Sequence, residues 1–104
     1  MFALRLTRRA LDDLDMIAAY IAEKSGSSTV AHRFVERLSQ RCSSLCETPF
    51  KLGRSCEELG AGMRCVPEGN YLILFRYSDD QLEVARIVEG HRALLFLFSG
   101  EDDA

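Results

Sequence analysis

The sequence lacks the features that would direct it to a membrane or to secretion. No apolar run approaches the length that spans a bilayer. The start of the chain carries Arg5, Arg8 and Arg9 instead of an apolar segment of signal-peptide length. These absences predict a cytoplasmic protein with no membrane association. No internal repeat, low-complexity tract or linker interrupts the 104 residues, a length that suits one domain with one modest core.

The common signatures of catalytic and cofactor sites are also missing. No G-x-S-x-G elbow is present, and the glycines follow neither a G-x-G-x-x-G nor a Walker spacing. We therefore expect no cofactor and no Ser-His-Asp catalysis. The net charge of −3 argues against broad, sequence-blind binding of nucleic acid, which needs a basic surface. A local basic site remains compatible with that charge.

The four cysteines do not form a metal-binding pattern. Cys42 and Cys46 lie one helical turn apart, with His32 on the same predicted helix, and no C-x-x-C is present. We interpret them as small buried apolar residues and expect no metal. Cys56 and Cys65 carry no pairing signal, and all four cysteines are expected to be thiols in a cytoplasmic protein. A nucleophilic cysteine with a histidine partner has no local signature here.

The first half of the chain shows one strand pattern followed by two helical patterns. Alternation of apolar residues over Phe2 to Leu6 predicts a short strand with one buried face. Thr7 can cap a helix over roughly Arg8 to Lys24. A second apolar stripe predicts a helix that ends before Pro49, and the short connection predicts an antiparallel helical hairpin. Three acidic residues are interpreted as a solvated face of the first helix: Asp12, Asp13 and Asp15.

The second half of the chain predicts three strands. They lie at Met63 to Val66, Tyr71 to Tyr77 and Leu82 to Glu89. If Asp79 and Asp80 form a two-residue loop, Arg76 falls opposite Glu83 as a favourable cross-strand pair. Ala93 to Phe98 is a closing apolar segment, helical or extended.

This order of elements predicts one α+β domain. It consists of an N-terminal strand, an antiparallel helical hairpin and a three-strand, mostly antiparallel sheet. The domain is expected to occupy residues 1–98, and residues 99–104 form an acidic tail.

Arginine recurs along the predicted sheet of this acidic chain. A single arginine on a strand is most often solvated or salt-bridged, and an acid such as Glu58 is a plausible partner for Arg86. Arginine also binds phosphate and carboxylate groups with two parallel hydrogen bonds. His91, after the last strand, has the chemistry of a general base, although a role as a capping or core-edge histidine is more common. The recurrence indicates a surface that faces a partner, formed by Arg54, Arg64, Arg76, Arg86 and Arg92.

Several short motifs occur in a fixed order over nearly the whole chain. They are L-x-x-I-x-x-Y-I-A at Leu14 to Ala22, A-x-x-F-x-x-x-L at Ala31 to Leu38, P-x-x-x-G-R at Pro49 to Arg54, E-L-x-x-G-x-R at Glu58 to Arg64, G-N-Y-L-I-L-F-R-Y at Gly69 to Tyr77, and V-A-R-I-V-E-G-H-R at Val84 to Arg92. Each is weak alone. In this order and spacing the chain resembles the ParE/RelE superfamily of toxin–antitoxin toxins, and within it the ParE branch.

The resemblance implies a function that composition does not show. ParE-like toxins act on DNA gyrase and stabilise its cleaved complex with DNA. Their partner is an antitoxin, here ParD-like, whose flexible segment wraps the toxin, so a hetero-oligomer is expected. RelE-like relatives instead cleave mRNA on the ribosome with basic residues and an aromatic acid–base group.

Comparison with the ribonuclease pattern favours the ParE branch. Leu72 stands where the nuclease has an arginine, and Phe98 stands where it has a tyrosine. Arg92 matches an arginine of that pattern and Arg64 lies near its lysine region, which leaves the acid–base chemistry incomplete. A ribonuclease would rely on Arg64, His91 and Arg92.

The favoured hypothesis is therefore a gyrase-inhibiting toxin without catalytic chemistry of its own. Its predicted target-binding residues are Arg64, Arg76, Arg86 and Arg92, with Arg92 first, although Arg86 is also a candidate for a structural role. The alternatives are the mRNA-cleaving ribonuclease and a chain that has lost toxicity and only binds the antitoxin.

Overall fold

The structure, a computed structural model, describes residues 1–90. The elements are β1 (Ala3–Leu6), α1 (Arg8–Ser25), α2 (Ser28–Ser44), β2 (Arg54–Ser55), β3 (Arg64–Glu68), β4 (Tyr71–Tyr77) and β5 (Gln81–Glu89), with a single 3₁₀ turn at Glu57–Leu59. The predicted α+β class is confirmed, and so is the sequence of strand, two helices and further strands. The predicted closing segment Ala93 to Phe98 and the acidic tail lie outside the described residues.

The strands form one mixed sheet in the order β1-β5-β4-β3-β2. The three predicted strands are β3, β4 and β5, and they pair antiparallel. The sheet is larger than three strands because β1 joins it parallel to β5 and the two-residue β2 joins it beside β3. Arg76 lies opposite Glu83, as predicted from the loop residues.

Capping residues set the bounds of the helical hairpin. The Thr7 hydroxyl accepts a hydrogen bond from the Ala10 N–H at 3.1 Å and thereby starts α1. Gly26 ends α1 in the left-handed region at φ 69°, and its N–H donates to the Ala22 carbonyl. Ser27 then caps α2 by accepting from the Val30 N–H at 3.2 Å. Only Gly26 and Ser27 separate the two helices, and this short connection turns the chain back on itself.

Both helices pack on one face of the sheet. The main core there is built around the fully buried side chains of Leu38, Ile73, Phe75 and Leu82. Leu11 and Val30, apolar residues in the first turns of α1 and α2, lie outside this core, because they are 47% and 46% exposed.

A second, smaller apolar cluster covers part of the other face of the sheet, where neither α1 nor α2 packs. It contains Cys56, Met63, Cys65, Leu74 and Val88. We call this side the open face. No helix among residues 1–90 is long and apolar enough to cross a membrane.

Tyr77 joins the end of α2 to the loop before β2. Its hydroxyl donates to the Leu45 carbonyl at 3.0 Å and accepts from the Leu52 N–H at 3.1 Å. We expect Tyr77→Phe to lower the free energy of unfolding by about 1–2 kcal/mol, because both backbone groups lose a partner in a partly buried site. Urea unfolding monitored by circular dichroism measures this loss. A change below about 0.3 kcal/mol would show that water replaces the hydroxyl without cost.

Candidate functional site

Arg86 is bound to α1. Its Nε donates to Asp13 Oδ2 at 2.8 Å and its Nη2 donates to Oδ1 at 3.1 Å. The Ile87 N–H donates to the same Oδ2 at 2.9 Å. The side chains of Arg86 and Asp13 are 27% and 11% exposed, and the hydrogen bond to Asp13 raises the pKa of the Arg86 guanidinium above its usual value.

This arrangement corrects two sequence-based interpretations. The partner of Arg86 is Asp13 and not an acid such as Glu58, and Asp13 is not part of a solvated helix face. The carboxylate accepts three hydrogen bonds because α1 lies against the outer side of β5, where it meets both a guanidinium and a free backbone N–H.

A bulge in β5 explains why the Asp13 site exists. The register with β4 passes from Val84 opposite Phe75 to Arg86 opposite Leu74, so Ala85 has no partner on β4. The pairing of β1 with β5 ends at Val84, which leaves the outer edge beyond it open to groups from α1. The Thr7 hydroxyl donates to the Ala85 carbonyl at 2.8 Å on this edge. The bulge and the end of β1 together give Asp13 access to the strand.

Arg64 holds the loop that precedes β2. Its Nε donates to the Leu52 carbonyl at 2.7 Å and its Nη2 donates to the Gly53 carbonyl at 2.8 Å. The side chain is partly exposed, so the guanidinium stabilises the loop while one of its edges still faces solvent.

Arg76 is the most available of the predicted target-binding arginines in the described part of the chain. Phe75 points into the core under the helices, so the next residue of β4 projects from the open face. Glu83 lies opposite, but its carboxylate accepts from Arg5 Nη1 at 2.8 Å. Arg76 is exposed and makes no ion pair with any group among residues 1–90.

The open face carries further exposed arginines. Arg54 is directly opposite Cys65, a member of the open-face cluster, and Arg5 is opposite Glu83. Directly paired residues project from the same face of a sheet. The structure thus brings Arg5, Arg54 and Arg76 to one side of the sheet. The sequence does not predict Arg5 as a member of this group, because the parallel pairing of β1 with β5 has no local signal.

The remaining predicted residues are placed as follows. His91, Arg92 and Phe98 lie outside the described residues. Leu72 is partly buried on β4 and packs against the open-face cluster. An apolar side chain at this position supplies neither a charge nor a proton for phosphodiester cleavage.

Two adjacent hollows lie where β5 ends. One, of ≈ 240 Å³, runs between α1 and β5 and is lined in part by Met16, Ile17 and Val88. The other, of ≈ 700 Å³, is lined in part by Ile21, Phe34, Leu72 and Gly90. Tyr20, Tyr71 and Glu89 border both, so we treat them as one feature, the β5 groove.

Two of the four cysteines are free thiols and two are not. Cys42 and Cys46 are buried, as expected, and burial raises the pKa of Cys42 to about 11, which leaves little thiolate at neutral pH. The expectation of four thiols is wrong for Cys56 and Cys65, which form a disulfide. The pairing of β2 with β3 brings their Cα atoms to 6.2 Å, within the usual range for this bond. Sequence spacing cannot reveal such a cross-strand approach.

Within residues 1–90, no three histidine, cysteine, aspartate or glutamate side chains are grouped so that they could hold a metal ion. The described part of the site consists of a basic sheet face and the β5 groove, which apolar and polar side chains line together.

Comparisons with known proteins agree with this fold. Residues 4–94 match the family model described as the ParE toxin of type II toxin-antitoxin system, parDE. No curated protein gives a significant match. A chain of a solved structure, titled the chromosomal ParDE TA system from P. aeruginosa, superposes with a TM-score of 0.76 at 24% identity, and covers 86% of this chain and 96% of that chain. Because the family model spans most of the sequence, the chain belongs to the ParE toxin family of type II toxin–antitoxin systems.

Proposed function

We propose that this ParE-family toxin inhibits DNA gyrase by binding, without chemistry of its own, and that a ParD-like antitoxin neutralises it. The observation that carries the proposal is the open face, where Arg5, Arg54 and Arg76 project from one sheet in a chain of net charge −3. Arginines grouped on an otherwise acidic protein suit a phosphate- or carboxylate-bearing partner, and a gyrase–DNA complex offers both.

The four predicted arginines take different parts in this proposal. Arg76 contacts the target directly, because its guanidinium is exposed and free of ion pairs within residues 1–90. Arg64 lies opposite Phe75, on the side of the sheet that faces the helices, and contributes mainly by holding the loop before β2. Arg86 contributes mainly by fixing β5 to α1. Arg92 is kept as a contact on the family resemblance.

The described residues favour a binding inhibitor over an mRNA-cleaving enzyme. Leu72 stands at the position of a nuclease arginine, and the buried Cys42 and Cys46 thiols are poor nucleophiles. Cleavage of a phosphodiester needs a group that moves a proton, and the side chain of Leu72 cannot do so.

The antitoxin is proposed to cover apolar surface along the helical hairpin and the sheet. Met16 and Tyr20 are 67% and 54% exposed on α1, beside the β5 groove. Exposed aromatic and methionine side chains next to a concave apolar surface are typical of protein–protein interfaces. A toxin–antitoxin hetero-oligomer is the expected resting form in the cytoplasm.

The decisive experiment is a supercoiling assay with purified gyrase and toxin. We expect inhibition and accumulation of cleaved DNA, and we expect Arg76→Glu to require at least about tenfold more toxin, since a charge-assisted hydrogen bond contributes about 1.5–3 kcal/mol. Arg8→Glu is the matched control, because Arg8 is also an exposed arginine but lies at the start of α1, away from the open face. It should inhibit like the unchanged toxin.

The other outcomes are equally informative. Unchanged gyrase activity at excess toxin would refute the proposed target. Discrete mRNA cuts, found by primer extension after induction, would establish the ribonuclease. Normal growth on induction without antitoxin, from a folded protein, would identify an inactive antitoxin-binding module.

A further inference from the structure

The disulfide between Cys56 and Cys65 fastens β2 to its neighbour in the sheet. Among the described residues β2 is the outermost strand on its side, and it consists of two exposed residues that pair with β3. One further backbone hydrogen bond follows, from the Cys56 N–H to the Met63 carbonyl at 2.8 Å. Because a strand this short buries little surface of its own, the covalent bond contributes much of what holds it in place.

This disulfide lies beside an arginine of the open face. Arg54 is directly opposite Cys65 and exposed, whereas Cys56 and Cys65 are only 1% and 2% exposed. Within residues 1–90, Arg54 makes no ion pair that would fix its guanidinium. The position of that guanidinium therefore depends on where β2 lies.

The other two cysteines are separated from this pair by the sheet. Cys42 and Cys46 are free thiols buried in the main core under the helices, whereas Cys56 and Cys65 belong to the open-face cluster. A disulfide requires its two Cα atoms to lie within about 7 Å of each other, and residues on opposite faces of a sheet direct their side chains apart. The bond can therefore open and form again without an exchange of partners.

We propose that the bond between Cys56 and Cys65 is a redox switch, which sets whether β2, and with it Arg54, is fixed on the open face. A thiolate of a low-molecular-weight thiol such as glutathione attacks Cys56 Sγ and displaces Cys65 as a thiolate, which takes up a proton. A second thiol then attacks the mixed disulfide and releases Cys56 as a thiol. The pair gains two electrons and two protons, the reductant leaves as its own disulfide, and oxidised glutathione reverses both steps. The effect of the switch on target binding rests on the proposed function.

The place of β2 in the sheet favours a switch over a permanent crosslink. The proposed site of action, the cytoplasm, is kept reducing, and disulfides there are usually transient. β3 lies between β2 and β4, whereas Cys56 directly follows the short outer strand, so local opening of β2 gives a thiol access to Cys56. After reduction, two thiols need more room than the disulfide did, in a cluster whose neighbours are closely packed. This crowding favours the open form of β2.

Arg64 confines the change to the strand itself. Its guanidinium donates to the carbonyls of Leu52 and Gly53, and these bonds do not involve the disulfide. The loop before β2 is therefore held in both redox states, and the movement begins at Arg54.

Amide hydrogen exchange, measured by NMR on the 104-residue chain, tests the switch without gyrase. The chain is treated with oxidised glutathione or with dithiothreitol, and alkylation with mass spectrometry should count two thiols in the first sample and four in the second. We expect reduction to speed the exchange of the Cys56 N–H at least about tenfold, because a crosslink over a loop of this length favours the closed segment by up to roughly a hundredfold. The Gly26 N–H, bonded to the Ala22 carbonyl at 2.9 Å at the end of α1, is the internal control and should not change.

Cysteine substitutions assign the response to this pair. The double variant Cys56→Ala with Cys65→Ala should show the fast exchange at position 56 after either treatment. Cys46→Ala is the matched control, because Cys46 is also a buried cysteine but lies in the main core, outside the pair. It should keep the full response to dithiothreitol.

The supercoiling assay, run anaerobically in buffer without reductant, measures the effect on the proposed target. We expect the reduced toxin to require at least about threefold more protein for the same inhibition, because Arg54 is no longer held in place for its contact. The double variant should resemble the reduced toxin after either treatment.

Three results from the thiol count and the exchange rates would overturn the switch. They are four alkylated thiols after treatment with oxidised glutathione, equal exchange of the Cys56 N–H in the two samples, and an equal rise at Gly26, which would make the bond a support of the whole fold. Equal inhibition of gyrase by the oxidised and reduced toxin would overturn the link to Arg54. If neither form inhibits gyrase, the proposed function fails, and the exchange rates still decide the switch.

Discussion

Replacing Asp13 by alanine is expected to lower the free energy of unfolding by about 3 kcal/mol. The carboxylate accepts three hydrogen bonds, two from the Arg86 guanidinium and one from the Ile87 N–H. Removing one partner of a buried ion pair costs about 3–5 kcal/mol, and the partial exposure of Arg86 places the effect at the lower end. That is a large part of the 5–15 kcal/mol that stabilises a typical domain.

Urea unfolding with an unchanged m-value measures this effect. Asp12→Ala is the matched control, since Asp12 is 56% exposed and its ion pair with Arg8 spans 3.4 Å. It should cost less than about 1 kcal/mol. Asp13→Asn retains an oxygen for the Ile87 N–H and should fall between the two. Equal losses from Asp12→Ala and Asp13→Ala would contradict the assigned role.

Gly53→Ala is expected to cost about 3 kcal/mol. Gly53 has φ +80°, a conformation that a Cβ disfavours by about 1–2 kcal/mol. An added Cβ would also lie 2.8 Å from Phe75 Cζ and 2.9 Å from the Cys65 backbone oxygen. Neither atom moves easily, because Phe75 is fully buried and Cys65 lies in β3, so overpacking adds to the backbone strain.

Gly62 provides the control for that substitution. Its φ of +73° is nearly the same, but an added Cβ meets nothing within 4 Å. Gly62→Ala should therefore cost only about 1 kcal/mol, and the difference between the two variants measures the close approach alone. Equal destabilisation would show that backbone conformation accounts for the whole effect at Gly53.

The secondary structure was predictable because its signals are local. The predicted helix from Arg8 to Lys24 is one residue shorter than α1, and β4 has the predicted bounds Tyr71 to Tyr77. Capping at Thr7 and the turn at Asp79 and Asp80 each depend on residues a few positions apart. Such features follow from spacing and turn chemistry alone.

The details that position the site depend on residues far apart in the chain. Asp13 and Arg86 are separated by 73 positions, and Cys56 and Cys65 meet only after β2 pairs with β3. No residue pattern in the sequence predicts the bulge at Ala85, although this bulge places Arg86 within hydrogen-bond distance of Asp13. The sequence alone therefore does not show whether an aspartate on an amphipathic helix is exposed to solvent or is a buried hydrogen-bond acceptor, because both positions are compatible with the helical pattern.

The parallel pairing of β1 with β5 has a consequence for how the protein assembles. Three features of the first 13 residues have partners on β5: the backbone of β1, the Thr7 hydroxyl and the Asp13 carboxylate. Contacts this distant in sequence form late and slow the folding of small domains. We therefore expect the first residues of the chain to reach their final contacts only after β5 has been synthesised. A copy that terminates before β5 then cannot hold the arginines of its sheet in their final positions.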